Sequence, residues 1–277
     1  MKRFLTLFLL LLTFNAFAEE AVLKYGVLPS NPNSRESLAV FTKYLSEKIG
    51  KPTELVYADT EELLSKLADG DISFGELSST AYATAMASFK DKIKYVVTVA
   101  ARNEEGKPVP YYRGLFLTLK DSPYNSPLDL NGKSFGFVSR TSTSGYVYPM
   151  ETLKGMGIDP ETFFGTVAFA GNHAKIFEGL KTGFLDAGVS NYDALDKAKA
   201  MYGNIFKIIA TTAEIPSGAI VASSKVDEKT VVKAQDALIS LKPTDAVVNY
   251  PGFLYKGFIK KGVGFYDFIK GLIKKFF

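Results

Sequence analysis

The 277-residue sequence contains no cysteine and only one histidine, His173. The lack of cysteine excludes disulfides, thiolate nucleophiles, thiolate metal sites and any lipid anchor attached through a cysteine. A single imidazole cannot form a histidine-rich metal cluster. Excess charge of one sign is also missing, since 33 basic residues face 29 acidic ones. Nucleic-acid binders normally carry a basic stripe, which this balance does not suggest. The opening apolar run, Phe4 to Phe14, is too short to span a bilayer comfortably.

That run follows Met1-Lys2-Arg3 and precedes Asn15-Ala16-Phe17-Ala18, with Glu19-Glu20 next. A basic start, a short apolar stretch and an Ala-x-Ala end read as a secretory signal peptide spanning 1–18, cleaved after Ala18. Cleavage would leave 259 of the 277 residues and lower the basic count from 33 to 31, a net charge of +2. An exported, cysteine-free chain suits a bacterial periplasm. The mature length allows one large core or two of roughly 100–150 residues each.

Strand and helix patterns then alternate. Strands are predicted at 22–28, 53–58, 71–75 and 93–101, with helices at 37–49, from Asp59 or Thr60 to Gly70, and at 81–89. A second set follows: strands at 114–119, 134–138, 167–169, 185–189 and 206–210, and helices at 148–156, 174–182 and 192–202. Such alternation predicts an α/β protein with mostly parallel sheets. Two segments share one grammar of helix, glycine, aspartate, short strand and glycine. They are Leu63 to Gly75 and Ile176 to Gly188, one in each half. Two similar lobes facing each other across a cleft are therefore expected. Near the end, Phe265, Phe268, Ile269, Leu272, Ile273 and Phe276 form one helical stripe, with Lys270, Lys274 and Lys275 off it. Such a stripe docks on its own domain or lies on a membrane.

The chemistry centres on Ser142-Thr143-Ser144-Gly145, between a strand pattern and a helix pattern. Free N–H groups and the dipole at a helix start favour an anion, and hydroxyls add neutral donors. The same residues also serve as ordinary helix caps. Ser78, Ser79 and Thr80 occupy a similar strand-to-helix turn in the first half, with the same two readings. Two enzyme motifs fail. Gly132-Lys133-Ser134 would need a glycine where Pro127 stands to close a phosphate-binding loop. A Ser144, His173 and Asp186 triad lacks the Gly-x-Ser-x-Gly elbow, because Ser142 and Tyr146 hold the glycine places.

Taken together, several motifs carry a family resemblance. They are Asp71-Ile72-Ser73-Phe74-Gly75, Tyr112-Arg113-Gly114-Leu115-Phe116 and Asp129-Leu130-Asn131-Gly132-Lys133. Further along come Ser142-Thr143-Ser144-Gly145 with Pro149, Gly157-Ile158-Asp159-Pro160, Gly171-Asn172-His173, Asp186-Ala187-Gly188 and Ile215-Pro216. In this order the chain resembles the phosphate, phosphite and phosphonate binding proteins of bacterial ABC importers, a branch of the type II periplasmic binding proteins.

The resemblance implies two lobes, 19–113 plus 220–277 and 114–219, joined near Gly114 and Gly218. It implies that Ser142, Thr143 and Ser144 hold a small oxyanion, with His173 donating to it and Tyr112 at the cleft edge. Thr60, after Asp59, stands where the family often has a tyrosine, so that contact is shortened or lost. Asp193 matches one acid that holds a ligand amine, and Gly218 replaces the other. That departure favours phosphite, methylphosphonate or phosphate. No metal and no cofactor are expected. The implied partner is an inner-membrane permease, and the implied state is a monomer. Service to a sensor kinase, another small anion or organic solute, and a periplasmic serine hydrolase remain the alternatives.

Overall fold

The computed structural model describes residues 22–28, 35–102, 107–242, 244–253, 255–262 and 264–276. The expected signal peptide, the turn cluster at 29–34 and the loop at 103–106 lie outside the described residues.

The first half runs β1 (Leu23–Val27), α1 (Arg35–Ile49), β2 (Thr53–Tyr57), α2 (Thr60–Asp69), β3 (Phe74–Leu77), α3 (Ser79–Ser88) and β4 (Ile93–Val99). Short strands β5 (Ala101–Arg102), β6 (Pro108–Val109) and β7 (Tyr111–Tyr112) follow. The second half holds β8 (Gly114–Leu119), β9 (Ser134–Phe137), α4 (Tyr148–Gly155), α5 (Pro160–Phe163) and β10 (Thr166–Phe169). It continues with α6 (His173–Thr182), β11 (Ala187–Asn191), α7 (Tyr192–Tyr202) and β12 (Phe206–Thr211). The chain returns through β13 (Ile215–Pro216) to β14 (Ala219–Ser223), α8 (Glu228–Ser240), β15 (Phe258–Ile259) and α9 (Asp267–Phe276).

These strands make two main sheets, ordered β15-β4-β14-β3-β1-β2 and β10-β9-β11-β8-β12. Each belongs to one lobe. The sheets are mixed, and antiparallel pairs are as prominent as parallel ones. In the first sheet β1 pairs with β2 and β3 in parallel, and in the second β9 pairs with β10 and β11 in parallel. Strand β14 pairs antiparallel with both β3 and β4, and β8 does so with both β11 and β12. The expected α/β lobes with mixed, mostly like-directed sheets are seen, and the reversed strands have a topological reason. Strands joined through helices do run alike, but β8 and β14 enter from the crossings between sheets and insert between two such strands in reverse. The crossings themselves pair, with Tyr112 opposite Ile215 and Tyr111 opposite Pro216.

The two echoing segments fold alike. Gly70 and Gly183 end α2 and α6 at φ 83° and 75°, a left-handed conformation that glycine adopts at little cost. The following turns fold back in the same way, with the Ile72 amide donating to the Lys66 carbonyl and the Leu185 amide to the Gly179 carbonyl. This turn delays the strands, so β3 starts at Phe74 and β11 at Ala187, later than their patterns predict. The likeness extends further along the chain. Ser78 caps α3 by accepting from the Ala81 amide, and Asn191 caps α7 by accepting from the Ala194 amide.

One apolar cluster under the first sheet centres on Tyr25, Phe41, Phe74 and Tyr255. Another lies in the second lobe around Leu115, Phe177, Leu180 and Phe206. A third joins the lobes, running from Leu63 and Tyr82 to Phe135, Tyr146 and Leu153. Full burial of each such side chain contributes roughly 1.5–3 kcal/mol. Helix α9 belongs to this third cluster. Ile269 and Leu272 are buried, Phe268 meets Tyr148 edge to face at 6.0 Å, and Lys275 pairs with Glu151. The apolar stripe therefore docks on the protein itself. Among the described residues, no helix is long and apolar enough to cross a membrane.

Candidate functional site

Between the lobes lies a cleft of about 960 Å³. Its walls include the start of α3 at Ser78 and Ser79 and the start of α7 at Asn191, Tyr192 and Asp193, two equivalent helix beginnings facing each other. Tyr112 and Ser217, from the paired crossings, line it between them.

The Ser142-Thr143-Ser144 loop lies at the seam of the lobes. Residues Thr143–Val147 form one π-helical turn, closed by the Val147 amide donating to the Ser142 carbonyl at 3.1 Å. Such turns are rare and are frequent at functional sites. Gly145 makes the turn possible, since a β-carbon there would stand 2.4 Å from Val138 Cβ. Ser142 caps the turn by accepting from the Gly145 amide at 3.1 Å.

Thr143 reaches across to the other lobe. Its Oγ1 accepts the Thr80 amide at 3.1 Å and the Ser79 hydroxyl at 3.3 Å, and lies 2.8 Å from Thr80 Oγ1. With both lone pairs engaged, its own proton is directed to Thr80 Oγ1. The amide it takes is one of the free donors at the start of α3. Ser79, Thr80, Thr143 and Ser144 are all buried. Burial pushes the Tyr112 phenol up to about 12, the Ser144 and Thr143 hydroxyls oppose the rise, and the nearby Asp193 carboxylate adds to it. The result is a cluster of neutral donors, drawn from both lobes, adjoining the cleft.

The structure places the other expected residues as follows. His173 begins α6, with Nδ1 3.0 Å from Ser190 Oγ and Nε2 3.5 Å from the Asn191 amide nitrogen. It thus stands beside Asn191, which lines the cleft. Burial lowers its pKa to about 4, so the ring is neutral at neutral pH. Asp193 lines the cleft. Thr60 is the first residue of α2, capped by Asp59, and is not among the residues lining the cleft. Arg140 is held away by the Tyr146 hydroxyl at 2.9 Å and by the faces of Tyr146 and Phe169, so it adds no charge to the loop. Asp186 accepts from the Ser134 amide and hydroxyl at 2.9 and 2.7 Å, and His173 bonds to Ser190. A Ser144–His173–Asp186 relay is therefore not assembled.

Sequence reasoning missed Glu76, Asn191 and Ser217. Asn191 ends β11 and Glu76 is the last but one residue of β3, both beyond the predicted strand ends, and Ser217 adjoins the Ile215-Pro216 crossing. Among the described residues, no cluster of His, Asp and Glu is arranged to hold a metal.

Two mixed-sheet lobes and a donor-lined seam define a two-lobed solute-binding protein. The family described as the periplasmic substrate-binding protein of ABC phosphonate transporters matches residues 25–253. The chain belongs to that family, whose members work in the periplasm with a membrane permease. Solved structures agree in fold. A binding protein component of an ABC phosphonate transporter from Pseudomonas aeruginosa has 18% identity and a TM-score of 0.77, covering 93% of this chain and 87% of that one. PhnD1 from Prochlorococcus marinus, solved in complex with methylphosphonate, has 20% identity and a TM-score of 0.76, covering 92% and 97%. A Xanthomonas citri protein bound to ATP has 17% identity and a TM-score of 0.73, covering 92% and 98%.

Proposed function

We propose that this chain captures a small phosphorus oxyanion of the phosphonate class and presents it to its permease by cleft closure. The observation that carries the reading is the buried hydroxyl cluster at the seam, where Thr143 of one lobe holds the α3 amide of the other. An oxyanion there takes over donors that now serve each other, and so bridges the lobes and favours the closed form. Neutral hydroxyls and amides select by direction, with no resident cation required. Ser142, Thr143, Ser144 and Tyr112 are the proposed ligand donors of one wall. Ser79 and Thr80 supply the other, and His173, Ser78 and Asp193 flank them. The lobes are taken as 19–113 with 220–277, and 114–219, with the β7–β13 ribbon as hinge. The exported chain begins after Ala18 and acts as a monomer that binds without turnover.

Isothermal titration calorimetry with methylphosphonate, phosphite and phosphate tests this reading. Binding of at least one, lost in Ser144→Ala, is the expected result. No heat with any of the three would overturn it.

A further inference from the structure

Helix α9 is rooted in one lobe and touches the other. Its root is Tyr266, the residue before the helix. The Tyr266 hydroxyl donates to the Ser217 carbonyl at 3.0 Å and lies 2.8 Å from Thr98 Oγ1. Its ring meets Tyr82 of α3 edge to face at 4.6 Å. The helix then packs along α3, with Ile269 and Leu272 buried. These anchors belong to the first lobe and to the crossing that returns to it.

Another side of α9 meets α4 of the second lobe. Phe268 approaches the Tyr148 ring at 6.0 Å, and Lys275 Nζ lies 2.6 Å from Glu151 Oε2. Phe268 and Lys275 are about two helical turns apart, so they share one face of α9. Phe268 stays 59% exposed, so it contributes little to the core of its own lobe. Helix α4 in turn continues the π-helical turn of Thr143 without a break. The bond from Thr143 to Thr80 and the contacts of α9 therefore join the same two bodies. One is α3 with α9, and the other is the π turn with α4. A hinge motion that parts Thr143 from Thr80 also parts α9 from α4.

We propose that α9 is a strap across the outside of the seam, with Phe268 and Lys275 as positioning residues that favour the closed form before any ligand arrives. The apparent affinity of a closing receptor scales with the fraction of molecules already competent to bind. The strap thus tunes affinity from outside the cleft, and it acts on whichever ligand the cleft takes.

The absence of cysteine lets one label be placed on each lobe without side reactions. Glu47→Cys on α1 and Lys199→Cys on α7, both at exposed positions, carry spin labels on the full mature chain. Pulsed electron resonance then reads the distance between lobes. Without ligand, Phe268→Ala should lower the ratio of short to long distances about two- to tenfold, the scale of one aromatic pair. Methylphosphonate affinity should fall by no more than that factor. Glu151→Lys should act in the same direction by up to about fivefold, and adding Lys275→Glu should restore the native ratio. A ligand-free distribution that is unchanged in Phe268→Ala, or shifted toward the short distance, would overturn the strap. So would a native chain that shows only the long distance without ligand. Should Phe268→Ala fail to fold, Glu151→Lys and its repaired double variant decide in the same way. Failure of methylphosphonate to bind would count against the oxyanion reading alone, because the ligand-free distances test the strap without it.

Discussion

Thr143 Oγ1 and the Thr80 amide, 3.1 Å apart, join the two lobes at the N-terminal end of α3. The hydroxyl lies where a ligand oxygen would gain most from the free helix donors. Thr143→Ala should therefore weaken oxyanion binding about 10–100-fold, the range for losing one or two hydrogen bonds to a charged group. Calorimetry on the variant reads this directly. An affinity within twofold of native would show that Thr143 only seals the seam.

His173 carries a prediction with a definite sign. Its folded pKa of about 4 lies below the ordinary value of 6.5. The unfolded chain therefore takes up the proton first as pH falls. The stability contributed by the neutral ring is complete above about pH 6.5 and is lost as pH falls toward 4. That gap corresponds to roughly 3 kcal/mol at most. Urea denaturation of native protein and His173→Gln across this window measures it. The native protein should lose more stability than the variant, and parallel losses would sink the assignment.

Two glycines of neighbouring elements should respond in opposite ways. Gly145→Ala sets a β-carbon 2.4 Å from Val138 Cβ, whereas one at Gly155 meets nothing within 4 Å. Gly145→Ala should cost about 2–4 kcal/mol through displaced backbone. Gly155→Ala, at the end of α4, should be neutral or stabilise by up to about 1 kcal/mol. Thermal melts of both variants settle the contrast.

The Tyr148 hydroxyl is buried and has no hydrogen-bond partner among the described residues. Burial also raises its pKa, with Tyr112 adding to the effect. Tyr148→Phe removes the unsatisfied group and keeps the ring that meets Phe268. It should raise stability by about 1 kcal/mol. A clear loss of stability would mean that the hydroxyl is in fact satisfied.

Much of this fold was legible from glycine punctuation and apolar spacing. The stops at Gly70 and Gly183 stand where the sequence suggests, because a left-handed cap is written in one residue. Strand ends were less legible. The turn after each cap consumes Asp71 to Ser73 and Phe184 to Asp186, which moves both strands onward. Glu76 and Asn191 thereby fall within strands at the cleft, whereas the patterns placed Glu76 in a helix lead and Asn191 between a strand and a helix. Ser142 to Ser144 drew notice through their hydroxyl run, yet the π turn and the bond from Thr143 to Thr80 depend on packing between distant segments. Thr60 drew notice by position alone, and the structure seats it at the head of α2, off the cleft lining.

The pairing of Tyr112 with Ile215 means that the chain leaves for the second lobe and returns from it through adjacent positions. Everything from β8 to β12 is thus a cassette with neighbouring ends, which makes exchange between relatives a simple cut. Such a chimera would carry the Ser142–Ser144 loop with the cassette and leave Ser79 and Thr80 behind in the host. Each half of the seam should therefore be inheritable separately, one with the insert and the other with the frame that receives it.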